Sequence, residues 1–152
     1  MIRVARNEDA ETIRDIVHAA YRPYIPRIGR PPGPMLDDYA HRVAAGQAWV
    51  LEDSPGRIAG ILVLEEQSDA LLLDNVAVLP DLHGKGIGRA LIGFAEAEAR
   101  RRGHLAIRLY THVKMAENIR LYGRLGFVET AHVTEKGFER VYMEKILARS
   151  AP

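Results

Sequence analysis

Residues 76–91 read VAVLPDLHGKGIGRAL, and three glycines at positions 84, 86 and 88 separate an apolar run from an alanine-rich one. The preceding stretch LLLDNVAV (71–78) is typical of a buried β-strand, and the residues after the loop are typical of an amphipathic helix. A glycine loop between a strand and a helix can turn its backbone amides toward an anion, and the helix dipole favours negative charge there. The stretch therefore predicts a phosphate-binding loop, with a tight turn that binds no ligand as the alternative.

Two well-known phosphate-binding patterns match this loop poorly. A Walker loop needs a serine or threonine after its Gly-Lys pair, and none is present. The dinucleotide fingerprint spaces its glycines as GxGxxG, whereas the third glycine here comes one position early, in GKGIG. That fingerprint also needs an acidic residue near the end of the next strand, where this chain has Tyr110, Thr111 and His112. A nicotinamide-dependent oxidoreductase is therefore the weaker interpretation.

Composition favours one globular domain that spans residues 1–152. The chain has 152 residues, and 47% of them are apolar, which suits a single hydrophobic core. Its net charge is +1, and its longest run of one charge is Arg100–Arg102, so a nucleic-acid partner is not expected. Cysteine is absent, which excludes disulfides and a cysteine nucleophile. The charged first residues and the shortness of the longest apolar run (58–64) predict a cytoplasmic protein with no membrane partner.

Hydrophobic periodicity predicts elements in the order β-α-α-β-β-β-α-β-α-β-β. Strands are predicted at 2–5, 47–53, 57–66, 69–80, 105–111, 127–133 and 139–147. Helices are predicted from Asn7 onward, over about 35–45, from the glycine loop to Gly103, and over 116–126. Five prolines and two glycines between residues 23 and 34 separate the first two helices. The order indicates an α/β chain that contains an antiparallel meander.

A second motif lies near the end of the chain, where AENIRLYGRLGFVE (116–129) predicts a helix followed by a Gly-Phe pair that opens a strand. Together, the glycine loop and this helix resemble the GCN5-related N-acetyltransferase (GNAT) superfamily. The loop is similar to that family's acetyl-CoA motif, usually Arg or Gln, two residues, then Gly-x-Gly, although His83 stands at the Arg or Gln position. The resemblance implies the GNAT fold of the α/β (α+β) class. That fold has a mixed, mostly antiparallel sheet of about seven strands, which splays between strands 4 and 5 and is flanked by about four helices.

The same resemblance implies acetyl-CoA as the cosubstrate, with no metal. The pantetheine arm would pair with the backbone of strand 4, and the loop amides would hold the pyrophosphate. The residues expected at the coenzyme are Asn75, Val76, Ala77, Val78, His83, Gly84, Lys85, Gly86, Ile87, Gly88, Arg89, Ala90, Asn118 and Tyr122. The histidines at positions 18, 41, 104 and 132 show no metal-ligand spacing.

Two polar side chains of the second motif are candidates for the chemistry. Asn118 and Tyr122 are four residues apart, which places them on one helix face. The resemblance implies that Tyr122 donates a proton to the departing thiolate and that Asn118 contacts the coenzyme. A tyrosine is about 1.5 pK units weaker as an acid than a thiol, so this proton transfer is expected late. The alternative for Tyr122 is a tyrosine packed in the core.

The general base is less well specified by the sequence. Some relatives in the family use a glutamate on the central strand, but the aligned position here holds Leu72. Asp74, two residues later, shares that strand face by alternation and is the first candidate. His112, just past the neighbouring strand, is the second candidate, with Glu65 and Glu66 after it. A chain of bound water molecules is the remaining alternative.

By the same resemblance, the segment YRPYIPRIGRPPGPMLDDY (21–39) is expected to cover the acceptor side of the gap. The residues expected at the acceptor are Tyr21, Tyr24, Arg27, Met35, Asp38 and, from outside the segment, His112. Asp37 and Asp38 can attract an ammonium group, and Arg27 or Arg30 can hold a carboxylate on the same molecule. The predicted acceptor is a small primary amine, free or at a peptide end. A docking surface for an intact protein is the alternative.

The predicted function is therefore that of an acyltransferase, an acetyl-CoA-dependent N-acetyltransferase that acts on an amine. A coenzyme-A-binding sensor module without turnover is the alternative from another class, and the presence of both Asn118 and Tyr122 argues against it. Family members often pair through sheet edges or C-terminal strands, which leaves a homodimer open.

Overall fold

Seven β-strands form one sheet in residues 1–147, the part of the chain that the computed structural model describes. They are β1 (Ile2–Val4), β2 (Ala48–Ser54), β3 (Arg57–Glu66), β4 (Leu71–Val78), β5 (Ala106–His112), β6 (Val128–Glu135) and β7 (Phe138–Ile146). Their order across the sheet is β1-β2-β3-β4-β5-β7-β6. Neighbouring strands run antiparallel except β4 and β5, which run parallel. The predicted mixed, mostly antiparallel sheet is confirmed, including the β2-β3-β4 meander.

Five α-helices lie within the described residues. They are α1 (Ala10–Tyr21), α2 (Ile25–Ile28), α3 (Tyr39–Ala44), α4 (Ile87–Arg101) and α5 (Ala116–Arg124). The sequence predicted about four, and the additional one is α2, a single turn in the proline-rich segment. The helix predicted over about 35–45 begins only at Tyr39, because Met35 lies in a separate 3₁₀ turn and Asp38 caps α3. None of the helices in residues 1–147 is long and apolar enough to cross a membrane.

The predicted splay between strands 4 and 5 is confirmed. β4 pairs with β5 over three residues only, the last of which is Leu73. Asp74 forms a β-bulge at this point, because β3 pairs with Leu73 and then with Asn75. A bulge bends its strand and increases the local twist. The second half of β4, up to Val78, therefore runs beside β3 alone and leaves its other edge without a partner strand.

Two hydrophobic clusters pack on the two faces of the sheet. One contains buried residues of α4 and α5 together with strand residues such as Leu73. The other contains residues of α1 and α3, with Ile13 and Val17 fully buried. Helix α4 lies directly on β3 at Gly60, where a Cβ atom would be only 2.9 Å from Leu91 Cδ1. This close approach fixes the position of the glycine loop that precedes α4.

Candidate active site

An open groove of about 680 Å³ lies beside the second half of β4. Its walls are β4, the glycine loop, the start of α4 and helix α5. The volume is within the range of small-molecule sites. The free edge of β4 between Asn75 and Val78 offers backbone N–H and C=O groups to an extended ligand, as a sheet edge does to an added strand. The groove is therefore shaped for a long ligand that runs along β4.

The glycine loop at the end of this groove requires glycine for backbone conformation. Gly84 and Gly86 have φ angles of 81° and 80°, in the left-handed region that other residues rarely adopt. A Cβ atom at either position would meet no atom within 4 Å, so space is not the constraint. The first hydrogen bond of α4 runs from the Ala90 N–H to the Gly86 carbonyl, at 3.0 Å. The amides of residues 87–89 therefore precede it and are available to an anion.

Most of the predicted coenzyme residues line this groove. They are Val76, Ala77, Val78, His83, Gly84, Gly86, Ile87, Gly88, Arg89, Asn118 and Tyr122. Asn75, Lys85 and Ala90 do not line it. The Asn75 side chain is buried, where its Oδ1 accepts a hydrogen bond from Tyr21 Oη at 2.7 Å and its Nδ2 donates to Tyr39 Oη at 3.0 Å. Its amide thus ties α1 and α3 to the bulge in β4.

Tyr122 combines a packing role with a place in the groove. Its ring is buried and packs edge-on against Phe127, with ring centroids 5.9 Å apart. Burial raises the pKa of its phenol above the ordinary value, so the hydroxyl stays protonated at neutral pH. Within the described residues the Tyr122 hydroxyl makes no hydrogen bond, whereas the Tyr21 hydroxyl donates to Asn75 and Val76 and the Tyr110 hydroxyl donates to Asp74. The Tyr122 phenol is therefore a neutral donor that is available to a ligand in the groove.

A second cavity adjoins the groove on the side covered by the proline-rich segment. It has an inner chamber of about 40 Å³ and an outer chamber of about 360 Å³. Residues common to both chambers are Gly33, Pro34, Asp74, Tyr110, Phe138 and Arg140. Tyr21 and Met115 line the inner chamber and also the groove. The two cavities therefore adjoin at these two residues, and we call the second one the acceptor cavity.

Asp74 is the carboxylate common to both chambers of the acceptor cavity. Its Oδ1 accepts a hydrogen bond from Tyr110 Oη at 2.9 Å, and its Oδ2 lies 3.3 Å from Arg42 Nη2. Burial raises the pKa of Asp74, and the charge of Arg42 and the Tyr110 hydrogen bond oppose that rise. A carboxylate whose pKa is raised toward neutrality is a better proton acceptor than an exposed one. The geometry thus places the first candidate base within the acceptor cavity.

His112, the second candidate base, also lines the inner chamber, but one of its ring nitrogens is already hydrogen-bonded. Burial lowers the pKa of His112, and the nearby Lys114 charge adds to this effect. Its Nδ1 accepts a hydrogen bond from the Lys114 N–H at 3.1 Å, so the proton of the neutral ring is assigned to Nε2. Neither nitrogen of His112 is then free to accept a proton, which favours Asp74. Glu65 and Glu66 do not line either cavity.

The predicted acceptor residues divide between the two cavities and the surface. Tyr21 and His112 line the inner chamber, and Tyr24 lines the groove. Arg27 instead forms an exposed ion pair with Glu117 of α5, at 2.7 Å.

Two further predicted acceptor residues lie outside both cavities. Asp38 accepts a hydrogen bond from the His41 N–H at the start of α3, and Met35 lies in the turn before it. Neither residue lines the groove or the acceptor cavity. The predicted ammonium role of Asp38 is thus replaced by a helix-capping role.

Tyr110, Phe138 and Arg140, which line both chambers of the acceptor cavity, were not among the residues predicted at the acceptor. Tyr110 could have been predicted from the splay. Leu73 pairs with Leu109 in the parallel β4-β5 pairing, so the residues that follow them, Asp74 and Tyr110, lie close together. Phe138 and Arg140 come from β7, and Arg140 pairs with His112 of β5 in the sheet register. No local motif marks these β7 residues, since only the β5-β7 register brings them to the cavity.

Comparisons with known proteins agree with this geometry. Residues 44–129, more than half of the chain, match the acetyltransferase (GNAT) domain family. An uncharacterized N-acetyltransferase of Methanocaldococcus jannaschii is 37% identical over 76 residues, which are 50% of this chain and 33% of that protein. The ribosomal protein bS18 alanine N-acetyltransferase of Escherichia coli is 35% identical over 74 residues, 49% of this chain and 50% of that enzyme. The chain thus spans half or less of the length of these curated relatives.

Similarity to solved structures covers nearly the whole chain. The crystal structure of the PaiA N-acetyltransferase of Thermoplasma acidophilum, in complex with coenzyme A, superposes with a TM-score of 0.78 at 20% identity. The superposition covers 97% of this chain and 98% of that one. With its splayed sheet, its glycine loop and a family match over more than half its length, the chain belongs to the GNAT acetyltransferase family.

Proposed function

We propose that this protein is an N-acetyltransferase that transfers the acetyl group of acetyl-CoA directly to a primary amine. The observation that carries the proposal is the junction of two cavities at Tyr21 and Met115. One cavity is a groove that ends at the glycine loop, and the other contains the Asp74 carboxylate. The alanine N-acetyltransferase of E. coli and the coenzyme A complex of the T. acidophilum protein support this chemistry.

Acetyl-CoA supplies the activated acyl group, as a thioester. The amides of residues 87–89 and the glycine loop hold its pyrophosphate, and the free edge of β4 pairs with the pantetheine arm. Arg89 and Arg124 line the groove and complement the phosphate charge. The binding energy therefore comes mainly from backbone groups whose positions the fold fixes.

Asp74 prepares the acceptor by removing a proton. A lysine-like ammonium lies about three pK units above neutral pH, so its deprotonation costs roughly 4 to 5 kcal/mol. Asp74 lies in the acceptor cavity, with its pKa raised by burial, and accepts this proton. The amine nitrogen then forms a bond to the acyl carbon while the carbon–sulfur bond breaks. This direct transfer needs no covalent enzyme intermediate.

Tyr122 stabilises the sulfur that leaves. Its phenol is neutral because burial raises its pKa, and it donates a hydrogen bond to the developing thiolate. A thiolate is a weaker base than a phenolate, so the proton moves late or after the carbon–sulfur bond has broken. The amine nitrogen loses two protons in all. Asp74 accepts the first before the attack, and the second, which is lost as the amide forms, replaces the proton that Tyr122 gives to the sulfur. The acyl carbon thus exchanges its bond to sulfur for a bond to nitrogen, and coenzyme A leaves as the thiol.

The test is release of the coenzyme A thiol from acetyl-CoA in the presence of a panel of amines. The panel includes amino acids, polyamines, aminoglycosides, peptides with free N-termini and intact proteins. We expect at least one class to raise thiol release well above the rate with acetyl-CoA alone. A protein that binds acetyl-CoA but turns over no member of the panel would be a coenzyme-binding module, and the proposal would be wrong.

A further inference from the structure

We infer that Arg140 forms an anion subsite in the acceptor cavity, so that the acceptor carries a carboxylate as well as the reactive amine. The inference rests on the proposed function, because it names the substrate class of that same site. It assigns the acceptor to small amino acids, free in solution, and gives the carboxylate-binding role to Arg140, whereas the sequence predicted Arg27 or Arg30 for it.

Arg140 is placed at the centre of the acceptor cavity. It lines both the inner and the outer chamber, and its side chain is only 13% exposed. Its guanidinium carbon lies 4.4 Å from the centroid of the Tyr110 ring and 5.8 Å from that of Phe138. The two rings hold the guanidinium in place without using its N–H groups. Arg140 is therefore oriented by stacking, and its donors face a cavity.

The nearby acidic group does not satisfy this guanidinium. Glu135 Oε1 lies 3.9 Å from Arg140 Nη1, beyond hydrogen-bond distance, and accepts a hydrogen bond from Tyr142 Oη. The Arg140 side chain also interacts with the Tyr142 hydroxyl. A guanidinium has five N–H donors, more than these two contacts use. A mostly buried guanidinium with donors to spare favours a carboxylate or a similar planar anion.

The other arginines on this side of the sheet have partners of their own. Arg42 bonds to Asp37, Gln47 and Asp74. Arg30 stacks on Phe138 and donates to the Lys136 carbonyl. This difference in pairing singles out Arg140.

Tyr110 sets the spacing between the two charges that a substrate would meet. Its hydroxyl binds Asp74, and its ring face carries Arg140. One tyrosine side chain therefore separates the proton acceptor from the anion subsite. An amine and a carboxylate on the same small molecule can reach both groups at once, as in an amino acid.

The same arrangement disfavours an acceptor that lacks the carboxylate. With a simple amine, or the N-terminus of a peptide, the Arg140 charge has no closer counterion within the described residues than Glu135 Oε1, at 3.9 Å. A polar group of the site that stays unpaired raises the free energy of the complex with an acceptor that lacks the carboxylate. Such unpaired groups are the usual reason why a site strongly prefers one substrate over a similar one. The cavity therefore selects by charge on the acceptor and not by amine basicity alone.

The experiment compares each amino acid with its own carboxamide, which keeps the amine and side chain and removes only the negative charge. We expect the native protein to prefer the acid, by kcat/KM, about 10- to 100-fold, the usual effect of one charge-assisted contact. Arg140→Gln abolishes this preference, and Arg140→Lys restores part of it. The matched control is Arg57→Gln, at the start of β3, where the exposed Arg57 pairs with Asp53. An equal rate for acid and carboxamide in the native protein, or an unchanged preference in Arg140→Gln, would overturn the inference.

A binding measurement separates this inference from the proposed function. Calorimetric titration with an N-acetylated amino acid, the expected product, needs no turnover. Binding that is weakened in Arg140→Gln but not in Arg57→Gln supports the anion subsite even if no amine is acetylated. If amines are acetylated but the product binds both variants equally, the subsite is wrong and the proposed function stands. Thermal stabilisation by acetyl-CoA in each variant shows that the fold and the groove are intact.

Discussion

The coenzyme groove and the acceptor cavity adjoin each other but are built from different parts of the chain. The glycine loop, the first turn of α4 and the free edge of β4 supply backbone polar groups to the groove. The acceptor cavity is formed by side chains from four separate segments, which meet at Asp74, Tyr110 and Arg140. Among residues 1–147, Tyr21 and Met115 are the two that line both the groove and the inner chamber.

The fold fixes the positions of the backbone groups in the groove, whereas single side chains determine which ligand the acceptor cavity binds. A site of backbone amides depends on φ and ψ angles and tolerates many side-chain changes. A site of charged side chains changes its ligand when one residue changes. The comparison predicts that groove substitutions affect coenzyme binding, whereas cavity substitutions affect the choice and rate of the acceptor.

The largest expected effect is on the groove. In Gly86→Asp, a carboxylate is placed at the start of α4, where it repels a phosphate and where φ is 80°. We expect the thermal stabilisation by acetyl-CoA to be lost, which is about 2.7 kcal/mol at 100 times the dissociation constant. Gly56→Asp is the matched control, because Gly56 has a φ of 81° and open space but lies in the β2-β3 turn. Equal stabilisation of both variants would remove the loop from the coenzyme site.

The second-largest effect is expected for the Tyr122 hydroxyl, in the groove. Tyr122→Phe keeps the ring packed against Phe127 and removes only the hydroxyl. We expect kcat to fall by roughly 10- to 10³-fold, with little change in coenzyme affinity, because the proposed role of the hydroxyl is to stabilise the departing sulfur. Steady-state thiol release and thermal shifts with acetyl-CoA measure the two quantities. Native turnover in the Phe variant would leave Tyr122 with a packing role only.

A smaller effect on rate is expected in the acceptor cavity. Asp74→Asn keeps the shape and removes the proton acceptor, and we expect kcat/KM to fall by roughly 10- to 100-fold. In the native protein, kcat/KM falls as pH decreases through the raised pKa of Asp74, and the Asn variant lacks this decrease. Asp53→Asn, in an exposed ion pair on β2, serves as the control. A pH profile of the same shape in both proteins would exclude Asp74 as the base.

The raised pKa of Asp74 also predicts that stability depends on pH in the opposite direction to the reaction rate. The folded-state pKa of Asp74 is raised above its ordinary value of 3.8. Its contribution to stability is therefore fully present below that value and is lost as pH rises through the folded-state pKa. We expect the Tm of the native protein to fall relative to Asp74→Asn over this rise in pH. A difference in Tm that does not change with pH would argue against a raised pKa.

The smallest effect is expected from the loss of the buried hydrogen bonds of Asn75, which connect α1 and α3 to β4. Asn75→Ala removes the buried amide that binds Tyr21 and Tyr39. We expect the free energy of unfolding to fall by about 1 to 3 kcal/mol, because two hydroxyls lose a buried partner. Urea unfolding measures this change, and thermal shifts with acetyl-CoA show whether the groove survives. A loss of coenzyme binding in a stable Asn75→Ala protein would place the side chain in the groove instead.

The two regions also differ in how well the sequence predicted them. The glycine loop and Tyr122 lie in short contiguous motifs, so their residues could be named before the fold was known. The bulge at Asp74 and the amide contacts of Asn75 depend on which helices cover β4, which periodicity does not specify. Arg140 reaches the cavity only through the β5-β7 register. Arg27, predicted to hold a carboxylate, pairs instead with Glu117, a contact between distant segments that composition cannot reveal.

The most direct test of the proposed transfer is to follow an isotope-labelled acetyl group from acetyl-CoA by mass spectrometry. The native protein is incubated with labelled acetyl-CoA and the amine that gives the fastest thiol release. The proposed function predicts one labelled acetyl group on the amine for each coenzyme A thiol released, and a much slower gain of label with Tyr122→Phe. Thiol release without labelled amine would show hydrolysis instead of transfer, and it would contradict the proposed function.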